Sequence, residues 1–126
     1  MRSNKRLLAI GFAAAALLPG CMSMQATAFP IGERRAAKPP DTEVQVFRNA
    51  PPGRAFEPVA RLNYHIEKTF FIPSAFEEAL PSLKEIARTH GADAITEIDE
   101  KKSRLNETFI YNVTATAIRF TEESAK

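Results

Sequence analysis

Apolar positions in this chain change period around Phe76. Phe76, Leu80, Leu83, Ala87 and His90 recur at spacings of three and four, with Ile86 beside them, which is the repeat of one helical face. Lys84, Glu85 and Arg88 fall on the opposite face and belong in water. Ser74 and Glu77 have the spacing of a capping box. Pro81 conflicts with an early start, because a proline deep in a helix loses a hydrogen bond and clashes with the preceding turn at a cost of about 3 kcal/mol. The pattern predicts a short turn over 74–77, then a regular helix to about His90 with Pro81 in its first turn. Full burial of Leu80, Leu83 and Ile86 would contribute about 1.5–3 kcal/mol each. Gly91 stands where the chain must leave the helix, so a positive φ is expected there. Ala92–Ile98 then reads as a strand that is apolar on parts of both faces, as a central strand would be.

On either side of this unit the period is two. Val44 and Val46 alternate with Glu43 and Gln45, giving a first strand over Glu43–Phe47, and the run from Asn49 to Arg54 is turn chemistry. Ala60, Leu62, Tyr64 and Ile66 alternate with Arg61, Asn63, His65 and Glu67 in a second strand. Pro58 cannot donate to a ladder, so that strand should begin there or lie at an edge. The charged run from Asp99 to Glu107 reads as a solvated loop. Thr108–Phe120 is the longest strand, with Phe109, Tyr111, Val113, Ala115 and Ala117 as its inner row. Ile118 and Phe120 fall on the other parity, so a bulge or a second packed face is expected near Arg119. The expected fold is α+β: ββαββ, a four-stranded sheet with one helix on one face, occupying residues 43–120 and followed by a polar tail over 121–126.

The amino terminus follows a different logic. Arg2, Lys5 and Arg6 precede an apolar or small run from Leu7 to Leu18, twelve residues long. A membrane-spanning helix needs about 20, so residues 1–20 are read as an export signal. Leu18-Pro19-Gly20-Cys21 has the frame of a lipobox, with the lipid on Cys21; the rival is cleavage after Ala26-Thr27-Ala28. Met22 at the following position carries no inner-membrane retention signal, so the lipoprotein reading places the protein on the periplasmic face of an outer membrane. Cleavage after Ala28 would instead release it to the periplasm as a soluble protein. Residues 21–42 hold prolines, Gly32 and scattered alanines, and read as a flexible tether. About 20 such residues have a mean span near 25 Å.

The chain of 126 residues carries a formal charge of +2. Loss of residues 1–20 removes three cations and no acid, leaving 14 Lys and Arg against 15 Asp and Glu, a charge of −1. No basic patch points to nucleic acid. Cys21 has no second cysteine to pair with. His65 and His90 are 25 positions apart, which fits no standard metal-ligand spacing, and both read as surface histidines. The serines lie in tether, cap, helix, loop and tail positions without a nucleophile elbow. Asp93, after the helix stop, is expected to bond backbone amides. No catalytic residue, cofactor or metal site is assigned.

The lipobox frame, Pro52-Gly53-Arg54-Ala55-Phe56, Gly91-Ala92-Asp93-Ala94-Ile95 and the terminal Val113-Thr114-Ala115-Thr116-Ala117-Ile118 together resemble the small bacterial envelope lipoproteins that share a fold with the outer-membrane sensor of the Rcs stress phosphorelay. The helix and the two strands after it are also similar to YbjQ-type domains. The resemblance spans about residues 43–120. It implies a lipid-anchored binding or stress-sensing module that contacts an envelope protein. The YbjQ likeness implies instead a small-ligand or metal-binding domain that forms oligomers. Phe70-Phe71-Ile72 breaks the careful alternation of its surroundings, and reads either as a cover over the helix's open end or as an exposed contact for a partner.

Overall fold

The structure is a computed structural model and describes residues 23–69 and 72–121. Its elements in chain order are β1 (Ser23–Pro30), β2 (Gln45–Val46), β3 (Phe56–Thr69), α1 (Phe76–Thr89), β4 (Ala94–Leu105) and β5 (Thr108–Phe120). The strands form one five-stranded sheet in the order β1-β3-β5-β4-β2. Only the β2–β4 pairing is parallel, so the sheet is mixed. The class is α+β as the sequence predicts, with five strands where four were expected.

The helix lies on one face of the sheet because each of the two has one apolar side. Ala60, Leu62, Tyr64 and Ile66 of β3 stand opposite Ala117, Ala115, Val113 and Tyr111 of β5, and all eight are buried. Phe76, Ala79, Leu83 and Ala87 of α1 pack onto these rows. Ala79, Ala87, Ala115 and Ala117 are small, so helix and sheet can approach closely. Leu80 and Ile86 are only partly buried, so the burial expected of them is realised in full at Leu83 alone.

The additional strand, β1, lies inside the segment expected to be a tether over 21–42. It pairs with β3 from Ser23 opposite Glu67 to Pro30 opposite Ala60. Its inward side chains include Ala26 and Ala28, too small to give a strong alternating signal but sufficient to pack on the core. The next segment is also held: the Lys38 amide donates to the Arg88 carbonyl at 3.0 Å, and Arg88 Nη1 donates back to the Lys38 carbonyl at 2.5 Å. Long-range pairing, not local apolar content, orders this region.

Other boundaries also move. The first predicted strand shrinks to Gln45–Val46, although Val44 beside it is buried. Strand β3 begins two residues before Pro58 and is interior. Pro58 is tolerated because β1 reaches only to Ala60 and the β3–β5 register shifts between Pro58 and Ala60. Helix α1 begins at Phe76, with Ala75 as N-cap and no side-chain cap, so Ser74 closes no capping box. Pro81 is therefore inside the helix; it and Glu77 are both exposed, which leaves the freed carbonyl in water. The predicted loop over 99–107 is mostly strand: β4 continues to Leu105, and Asn106-Glu107, with Asn106 at φ 58°, form a tight hairpin turn. Charges suit this half of β4 because its side chains are largely exposed. The bulge expected near Arg119 falls on the partners of β5 instead, at Pro58/Ala60 in β3 and Thr96/Asp99 in β4. Glu97 takes φ 53° at the second. The second packed face is present, since Ile118 is fully buried.

Gly91 has φ +81°, as expected. The Gly91 amide bonds the Arg88 carbonyl and the Ala92 amide bonds the Ala87 carbonyl, each at 3.0 Å. This is the paired Schellman closure of a helix end. A side chain is excluded there on a second ground: a Cβ would lie 2.8 Å from the Ala36 carbonyl oxygen and 2.9 Å from Arg35 Cβ.

Candidate functional site

Near the β4–β5 turn, the residues leading into α1 and the hairpin enclose a groove of about 360 Å³. Pro73 and Ser74 form one wall; Lys102, Arg104, Phe109 and Tyr111 contribute to the other. The period of β4 and β5 sets the cation–aromatic pairs. Lys102 is opposite Tyr111 and Arg104 opposite Phe109, which puts the Lys102 ammonium 5.6 Å from the Tyr111 ring and the Arg104 guanidinium 5.9 Å from the Phe109 ring.

A polar network fixes the Tyr111 side of the groove. Tyr111 donates its hydroxyl proton to Glu100 Oε1 at 2.7 Å, and Glu100 is ion-paired with Arg48. The Arg48 guanidinium lies over the Phe76 ring at 4.2 Å, joining the network to the start of α1. Burial, then the bond to Glu100, push the Tyr111 hydroxyl well above the ordinary phenol range. That same bond, aided by Arg48, holds the Glu100 carboxyl below its usual value. Tyr111 is thus a fixed, protonated donor and not a nucleophile at neutral pH. Tyr64 meets the Tyr111 ring edge-on at 6.5 Å. Lys68, buried at the end of the β3 inner row, reaches Glu78 of α1 at 2.6 Å and the Pro73 carbonyl at 3.2 Å. It ties the helix start to the sheet.

Beside the groove runs an open strand edge. Strand β2 pairs with β4 only at Ala94 and Ile95, so from Glu97 to Leu105 the outer edge of β4 has no strand partner among the described residues. Lys102, Ser103 and Arg104 belong both to this edge and to the groove.

Of the predicted contact Phe70-Phe71-Ile72, the first two residues lie outside the described residues, as does Cys21. Ile72 is 41% exposed and precedes the groove residue Pro73. The histidines are apart. His65 stands on the polar face of the sheet, its ring nitrogens 2.8 Å from Glu67 and 2.7 Å from Asn112; the Glu67 bond first, then Asn112, raises its pKa by favouring the doubly protonated ring. His90 donates Nδ1–H to the Ile86 carbonyl at 2.9 Å. Among the described residues no group of three or more His, Cys, Asp or Glu could hold a metal ion. Asp93 accepts from the Phe120 amide at 2.9 Å and from Lys38 at 2.6 Å. Sequence reasoning did not single out Arg48, Glu100 or Lys68. Arg48 and Glu100 are 52 positions apart, and only the fold brings them together.

No protein-family model matches the chain, and no curated protein or solved structure shows a significant match to it.

Proposed function

We propose that this chain is a lipid-anchored binding module of the cell envelope, held on the periplasmic face of an outer membrane through Cys21, and that it docks a segment of an envelope protein. The observation that carries the reading is the groove beside the open edge of β4. An extended segment can add to such an edge through its backbone while a side chain enters the adjacent pocket. The lining suits this use, with aromatic rings at the wall and two cations at the rim. The anchor reading draws support from β1. Cleavage after Ala28 would leave only Phe29 and Pro30 of that strand, whereas cleavage before Cys21 would leave it whole.

Photo-cross-linkers at positions 74 and 103, introduced into the full chain in intact cells, test the docking site. A discrete adduct should form from both and not from position 63 on the polar face. The double variant Lys102→Glu/Arg104→Glu should abolish it with the melting temperature nearly unchanged. Adducts that survive this variant, or that form equally from position 63, would overturn the groove assignment.

A further inference from the structure

The geometry points to the hairpin end of the sheet as a face that rests on a lipid bilayer. This rests on the Cys21 anchor proposed above and adds the orientation of the domain. The predicted tether would have held the domain well clear of the headgroups, but β1 removes most of it. Ser23 is already in the sheet and only Met22 separates it from Cys21. Two residues reach about 7 Å at most, so an acyl chain on Cys21 enters lipid within that distance of Ser23.

Ser23 marks one end of the sheet. It is level with Glu67 of β3 and, through β5, with Ile110 and Ser103. The end row, Thr69-Thr108-Leu105, is two residues further on, about 7 Å at the usual rise of a strand. A bilayer that holds the lipid therefore lies at the level of this row. The exposed apolar side chains agree. Of the four large hydrophobics exposed among the described residues, Ile72 and Leu105 are at this end, Met24 is level with the row of Ile66, Tyr111 and Lys102 three residues in, and Phe29 is nearer the other end. Leu105, 64% exposed, is three strands away from β1, so the apolar character spans the breadth of the end and does not merely follow the β1 edge.

The charges complement an anionic headgroup layer. Lys101, Lys102 and Arg104 lie within four residues of the end of β4, against Glu107 in the turn and Glu67 two rows in. Long cationic side chains around an apolar tip are suited to a membrane interface, with stems in the apolar layer and heads at the phosphates. Of the groove residues, Arg104 and Phe109 are one row in from the tip and Lys102 and Tyr111 three, so a seated tip puts the mouth of the groove next to the headgroups and its inner part above them.

The test uses the full chain, exported and processed in cells, then reconstituted into vesicles of phosphatidylethanolamine and phosphatidylglycerol. An environment-sensitive fluorophore is attached in turn to Leu105→Cys, Ile72→Cys and Phe29→Cys. Labels at 105 and 72 should shift to the blue and be quenched by spin-labelled lipid, while the label at 29 stays wet. With acylation of Cys21 verified by mass, wet labels at 105 and 72 would overturn the orientation and leave the anchor standing. Quenching at 29 would do the same, placing the sheet on its β1 edge. Labels shielded in native envelope membranes but wet on protein-free vesicles would also overturn it, assigning the tip to a protein. If Cys21 proves unmodified, the anchor reading fails by itself, and flotation of that chain with the same vesicles still decides the tip. Binding that falls about tenfold or more in Leu105→Glu supports it, since burial of one leucine is worth about a decade of partitioning; no binding overturns it.

Discussion

The two ends of α1 are held in different ways. At the carboxyl end the fastening is mostly backbone: the Schellman bonds, the exchange between Lys38 and Arg88, and Gly91 against the Ala36 carbonyl. At the amino end no side chain caps the helix, and the fastening is made by charges, Lys68 with Glu78 and Arg48 over Phe76. Backbone closure needs one conformation and leaves no room for a side chain at Gly91. Charged side chains hold the helix start, and the groove lies beside it, between Pro73-Ser74 and the β4–β5 hairpin. The closed end sets where the helix sits, and the bridged end stands beside the groove proposed above to take a partner.

The comparison breaks most severely at Gly91. Gly91→Val forces a branched side chain to φ +81° and into the Ala36 carbonyl, and should cost about 3 kcal/mol or more in urea melts. A loss below about 1 kcal/mol would mean that the closure is not rigid. At the other end, Glu78→Ala leaves the Lys68 ammonium buried with the Pro73 carbonyl as its remaining hydrogen-bond partner, and should cost about 2–3 kcal/mol. Lys68→Met removes the charge itself and should cost less. If the two variants lose equal stability, the burial of the charge is not what makes Glu78 important.

Asp93 offers a pH test of the closed end. Burial alone would raise its carboxyl; the Lys38 bond and the Phe120 amide more than offset this and hold it below the usual value. Its contribution is therefore fully present above the unfolded value of about 4 and is lost as pH falls through the lower folded value. Asp93→Asn should cost about 1–2 kcal/mol at pH 7 and flatten the acid side of the stability profile. An unchanged acid limb would show that Asp93 does not carry it. The smallest effect belongs to His65, away from both helix ends. Its raised pKa gives stability that is present below the unfolded value of about 6.5 and fades as pH rises through the folded value, by well under 1 kcal/mol at this partly exposed site. Nuclear magnetic resonance titration should find its midpoint above that of a free histidine, and Glu67→Gln should lower it.

Local pattern made half of this fold legible. The face of α1, the stop at Gly91, the span Thr108–Phe120 and the β3 inner row were readable because each is written in the spacing of neighbouring residues. The β4 extension was obscured because its charged residues sit on an exposed strand, where they resemble a loop. Of the groove, the sequence marked as a candidate contact only its neighbour Ile72. Nothing local marks Lys68 as buried, for a lysine in an alternating strand reads as polar until Glu78 is placed above it.

By itself, then, the sequence determined the α+β class, the helix and its glycine exit, and the strand faces, since hydrophobic period and backbone freedom are properties of short stretches. Tertiary structure alone decided that Ser23–Pro30 is a strand and not part of a tether. Its order comes from the free backbone edge of β3, about 40 residues downstream, and its small side chains gain their packing only when that edge and the helix are already in place.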